Sequence, residues 1–69
     1  MADHVYKLTE IVGTSTRSHE AAIQVALERA KKTLRHVRWF EVTAQRGYVS
    51  DAGEITHQVT LKVGFGLED

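Results

Sequence analysis

The side chain best suited to hold a planar ligand is Trp39, the one tryptophan among 69 residues. In the segment RWFEVTAQRGYV, strict alternation sets Phe40, Val42, Ala44 and Tyr48 on one face and Trp39, Glu41, Thr43 and Gln45 on the other. The indole is therefore directed away from the apolar face. Gln58, in the last alternating segment, falls on the same outward face and offers an amide that both donates and accepts. An aromatic plate with an amide suits a planar heteroaromatic ligand. The same ring equally suits a homo-oligomeric interaction module with no ligand, where a large aromatic side chain anchors the interface. Phase alone leaves both readings open.

Other reactive side chains carry less. His4, His19, His36 and His57 fall on three elements without paired spacing, so no metal site is assigned. His57 shares the apolar phase of its strand, which predicts a hydrogen-bonded core histidine. In RAKKTLRHVR, Arg29, Lys32 and His36 line one side of a helix and Glu28, Lys31 and Arg35 another, the pattern of a solvated face. Val25 lies within that charged arc and hints that it also touches something. Gly13-Thr14-Ser15 matches neither a P-loop nor a GxGxxG fingerprint and reads as a turn. There is no cysteine, and no Ser/His/acid set or close carboxylate pair can be assembled. The chain does not read as an enzyme, and no catalytic residue is assigned.

These side chains must be positioned by four elements. The β-branched and aromatic run His4 to Gly13 predicts a first strand. Ser18 is the expected N-cap of a helix, with Glu20 at the favourable positive end of its dipole. Ile23, Leu27, Ala30, Leu34 and Val37 recur at helical spacing, widened by Ala22, Ala26 and Thr33, while Arg35, His36 and Arg38 gather at the expected C-terminal end. Two alternating strands follow, the second with Ile55, His57, Val59, Leu61, Val63, Phe65 and Leu67 on one face. Ser50-Asp51-Ala52-Gly53 supplies the hairpin turn. The class is α+β, a β-α-β-β chain with a three-stranded antiparallel sheet, the third strand central, and the helix covering one face. A two-residue loop at Asp51-Ala52 would set Trp39 across from Gly64, where the missing side chain leaves room for a flat object.

Composition narrows the class. Nine Lys and Arg balance nine Asp and Glu, which lacks the cationic excess of a nucleic-acid binder. Apolar runs are too short to span a membrane, and the first residues have no signal-peptide pattern, so a soluble, cytoplasmic protein is expected. Residues 1–69 make one domain, and a weak one. Burying roughly 6,900 Å², about 60 % of it apolar, yields about 100 kcal/mol, and ordering the chain costs about as much. With no disulfide to help, oligomerisation is the expected remedy.

Taken together, EIVGTS at 10–15, AAIQ at 21–24, RAKKTLRH at 29–36, WFEV at 39–42, RG at 46–47 and QVTLKVGF at 58–65 resemble the dodecins in order and over essentially the whole chain. The resemblance implies a β-α-β-β protomer, twelve copies closed into a hollow sphere, and a bound flavin, FMN or riboflavin, stored and protected at the subunit interfaces. Dodecins hold the isoalloxazine as stacked pairs between symmetry-related tryptophans, with a glutamine on the pyrimidine end. Those roles fall on Trp39 and Gln58, and Arg46 of the RG motif matches a position near the ligand. Some relatives also bind coenzyme A, for which Arg29 and Thr33 are the candidates. Two positions depart from the family pattern. Gly66 stands where bacterial relatives often carry the arginine of GFRLE, which leaves the choice between FMN and riboflavin open. His57 replaces the aromatic residue that commonly precedes the glutamine.

Overall fold

Sequence alternation and helical spacing resolve into four elements: β1 (Tyr6–Ser15), α1 (His19–Thr33), β2 (Val37–Val49) and β3 (Ile55–Gly66). The computed structural model describes residues 3–67. The strands form one antiparallel sheet in the order β1-β3-β2, so the third strand is central as its pattern predicts.

Ser18 is the N-cap of α1: its backbone is extended and its hydroxyl accepts a hydrogen bond from the Ala21 amide at 3.0 Å. The helix ends earlier than the apolar spacing implies. Leu34 is already extended, His36 turns the chain at φ 60, and Val37 begins β2. Histidine is among the residues more often found in that left-handed conformation, and the Gly66 amide donates to the His36 carbonyl at 2.9 Å. The basic residues of the last helical turn are therefore Lys31 and Lys32, with Arg35, His36 and Arg38 beyond it.

The core is small. Ala22 and Ala26 of the helix meet Val59, Leu61 and Val63 of β3, with Ile11, Ile23, Leu27, Leu34 and Val37 packed around them. Alanines let the helix sit close, and Gly13 lets it sit closer. Gly13 is not a turn residue; it is buried within β1, opposite Val59, and a Cβ there would overlap the Ala22 carbonyl oxygen and lie 2.8 Å from the Ala26 Cβ.

The helix lies over β1 and β3 and barely reaches β2. Phe40 and Val42, expected beneath it, are 43 % and 36 % exposed. At the far end of the hairpin Val49 and Ile55 are also exposed. The protomer is elongated, 56 × 20 × 14 Å. Its accessible surface of 5281 Å² exceeds the about 4,400 Å² of a compact monomer this size.

The hairpin departs from the expected two-residue loop. Val49 pairs with Ile55, and Ser50 to Glu54 form the connection, closed by Gly53 N–H to Ser50 O at 2.9 Å and Ser50 N–H to Glu54 O at 2.8 Å. That register alone would misplace Trp39 by one residue. A bulge between Val42 and Ala44 removes the shift, and the Thr43 hydroxyl donates to the Thr60 carbonyl at 3.3 Å across it. Trp39 thus sits opposite Gly64 after all. The bulge also inverts the alternation beyond it. Ala44 and Tyr48, expected on the helix side, pair with Thr60 and Thr56 on the outward face, while Gln45 pairs with Val59 on the helix side.

Gly13→Ala should lower unfolding stability by about 1–3 kcal/mol, the usual cost of forcing atoms into a filled interior. Chemical denaturation would show it as a lower midpoint with unchanged slope, and a midpoint equal to the parent's would mean the helix and β1 can separate freely.

Candidate functional site

The outward face of the sheet is built in rungs. Tyr6, Leu8, Glu10, Val12 and Thr14 of β1 face Gly66, Gly64, Lys62, Thr60 and Gln58 of β3, and β2 adds Trp39, Glu41, Ala44 and Arg46 opposite Gly64, Lys62, Thr60 and Gln58. An aromatic end and a polar end are therefore separated by a charged rung, Glu10, Lys62 and Glu41, with one net negative charge.

At the aromatic end the Trp39 indole lies flat across β3. Gly64 makes this possible: a Cβ at that position would overlap Cε2, Cζ2 and Cδ2 of the indole. One ring face rests on the glycine and the other is open, with the residue 42 % exposed. Tyr6 stands edge-on beside it, ring centroids 5.1 Å apart and planes at 76°, an arrangement that aromatic quadrupoles favour. Tyr6 is the residue that sequence reading missed. Its signal was present, since Tyr6, Leu8 and Val12 share one phase of β1, but only the pairing with β3 shows which face that phase occupies.

At the polar end Arg46 is the direct cross-strand partner of Gln58, and Thr14 flanks Gln58 on the other side. The Thr43 bulge is what brings Arg46 to the outward face. Trp39 and Gln58 share that face but are not neighbours: five residues of β3 lie between Gly64 and Gln58, a span of about 20 Å of extended strand.

Behind the polar end lies His57, opposite Ser15 and Gly47. It is not the hydrogen-bonded histidine that its phase suggested. Its Nδ1 is buried without a partner, and its ring packs edge-on against His19, centroids 4.7 Å apart. Arg29 and Thr33 line separate hollows. Arg29 joins Val12, Thr14 and Lys32 around one of about 370 Å³, and Thr33 joins Arg35, His36 and Phe65 around another of similar size. Among the described residues no three His, Asp or Glu side chains come together to hold a metal ion, and no helix is long and apolar enough to cross a membrane.

Fold and site together define a small βαββ protein with a thin core, a surplus of exposed apolar surface and an aromatic plate on its uncovered sheet face. The family model for Dodecin matches residues 5–68. The chain belongs to the dodecin family. The dodecin of Thermus thermophilus is 58 % identical over 65 residues, covering 94 % of each chain. The calcium dodecin of Mycobacterium tuberculosis is 39 % identical over 63 residues, 91 % of this chain and 89 % of that one, and its crystal structure is described as having a novel calcium-binding site. The solved dodecin of Streptomyces coelicolor superposes with a TM-score of 0.91 at 46 % identity, covering 100 % of this chain and 99 % of that one.

Gly64→Ala should lift the indole off β3. Because the chain has one tryptophan, its fluorescence reports the ring directly: emission should shift to longer wavelength and acrylamide quenching should rise. Spectra identical to the parent's would mean that the ring does not rest on the glycine in solution.

Proposed function

We propose that the protein is a non-enzymatic flavin store and protector that binds FMN or riboflavin between subunits of a closed assembly of twelve copies. The observation that carries this reading is the Trp39 indole, laid flat on Gly64 with its outer face open. The residues fit an isoalloxazine: a flat ring stacks on the plate, while the Gln58 amide and the Arg46 guanidinium supply donors and an acceptor for the polar pyrimidine edge. Stacking contributes on the order of 1 to 3 kcal/mol per ring face, by analogy with bases on aromatic side chains.

The distance between the two ends decides how many chains build the site. About 20 Å along β3 is longer than an isoalloxazine, so Trp39 and Gln58 of one protomer cannot both touch one ring. A second copy laid antiparallel on the outward face sets its own Gln58 and Arg46 near the first copy's Trp39. The same association covers Tyr6, Leu8 and Val12, which are about half exposed in the single chain, so ligand binding and assembly draw on one surface. A bound flavin supplies a light-absorbing ring. The electron-rich indole in contact with it returns the excited ring to its ground state by electron transfer and back-transfer, and burial keeps solvent from the reactive edge.

Two measurements test the reading. Titrated with riboflavin, the parent protein should quench flavin emission, and Trp39→Ala should abolish both quenching and retention; equal affinity in the variant would sink the proposal, and a colourless oligomer indifferent to flavin would make Trp39 an interface anchor only. Light scattering at low micromolar concentration should give the mass of twelve protomers, and a monomer there would contradict the assembly.

A further inference from the structure

The helix is tied to β2 by one side-chain hydrogen bond among the described residues, and that tie lies directly behind the polar end of the site. His19, the first residue of α1, places Nε2 3.3 Å from the carbonyl oxygen of Arg46. A carbonyl oxygen only accepts, so this nitrogen carries the hydrogen. The imidazole is steadied from behind by His57, whose ring meets it edge-on at 68° and whose own buried Nδ1 makes no hydrogen bond. Donor and prop are thus different residues.

What the tie restrains is a weak stretch of backbone. β2 is an edge strand, its ladder is interrupted by the Thr43 bulge three residues before Arg46, and the residue after Arg46 is Gly47, which adds backbone freedom. Otherwise α1 scarcely reaches this strand. Among the described residues no other hydrogen bond from α1 holds the Arg46 backbone beside Gln58.

We propose that His19 is a positioning residue for the ligand site: its Nε2–H holds the Arg46 carbonyl and thereby sets where the Arg46 guanidinium meets the ligand beside Gln58. The proposal rests on the flavin reading above. It assigns a role to the donor, not to the ring, and two variants separate these. His19→Phe keeps a ring against His57 and loses the N–H, whereas His19→Gln keeps an N–H of similar reach and loses the ring.

The test is riboflavin titration, read by flavin fluorescence, of the full-length protein and of His19→Phe, His19→Gln, Arg46→Ala and the double variant His19→Phe/Arg46→Ala. His19→Phe should weaken binding about tenfold, in line with the loss of one hydrogen bond, and His19→Gln should recover most of it. In the Arg46→Ala background His19→Phe should have no further effect, because it acts through the side chain already removed. Equal losses in both backgrounds, or a glutamine variant no better than phenylalanine, would overturn the role. Amide exchange in flavin-free protein gives a second readout: Arg46 and Gly47 should exchange faster in His19→Phe than in the parent or in His19→Gln, and equal rates would overturn the tie itself. A parent protein that does not quench riboflavin defeats the flavin reading, while a parent that binds normally but shows additive variants defeats only the role of His19.

Discussion

One helix of fifteen residues cannot cover a sheet whose two longer strands run to thirteen and twelve. Much of the protein's character follows from that mismatch. The helix settles where alanines and Gly13 allow the closest approach, over β1 and β3, and seals a core of three β3 side chains against a row of alanines. What it leaves open is the whole outward face and the helix side of β2. A monomer of this kind keeps apolar surface in water that a larger domain would bury. Self-association of the kind proposed would remove it at no cost in further residues, and would place aromatic side chains at the contact, where they contribute most per unit area.

The element order, the central third strand and the Ser18 cap were legible in the sequence because each rests on a local signal: period, β-branching, or a hydroxyl ahead of a helical stripe. The pairing of Trp39 with Gly64 was legible for a less secure reason. A longer hairpin loop and the bulge at Thr43 each shift the register by one residue in opposite senses, and a uniform ladder closed by a two-residue loop lands on the same partner. Between the loop and the bulge the error does show. Ala44, Tyr48 and Gln45 lie on faces opposite to those their alternation predicts, since a one-residue slip inverts every side chain. Nothing local marks Thr43 as the extra residue. The bulge answers to the sheet as a whole, which must bring Phe40 and Val42 to one face and Arg46 to the other.

His57 and Gly13 depart from their strand patterns for a related reason. Each pattern reports its own strand, whereas the environment of the residue comes from the helix packed on it. The phase of His57 located it correctly on the inner face, but no partner for Nδ1 follows from phase, and the ring that meets it belongs to the first turn of α1. Gly13 lies next to the strand end, where glycine ordinarily punctuates, yet the strand continues to Ser15 and the glycine is needed for interlayer distance. Tyr6 could be phased but not placed, because β1 has no neighbour in sequence to fix its register.

In the proposed assembly, the separation of the two ends of the outward face would tie ligand to assembly more closely than either element alone. If Trp39 and the Gln58–Arg46 pair were adjacent in one chain, each protomer could hold a ligand independently, and association would be a separate matter of covering apolar surface. With the charged rung of Glu10, Lys62 and Glu41 between them, a ligand that needs both stacking and a polar edge is satisfied only between chains. A ligand that binds the assembled form and not the free chain stabilises the assembly by mass action. On the proposed reading, the marginal stability of the single chain and the composite site are two aspects of one arrangement: the surface that the helix fails to cover would be the surface on which the second copy and the ligand meet.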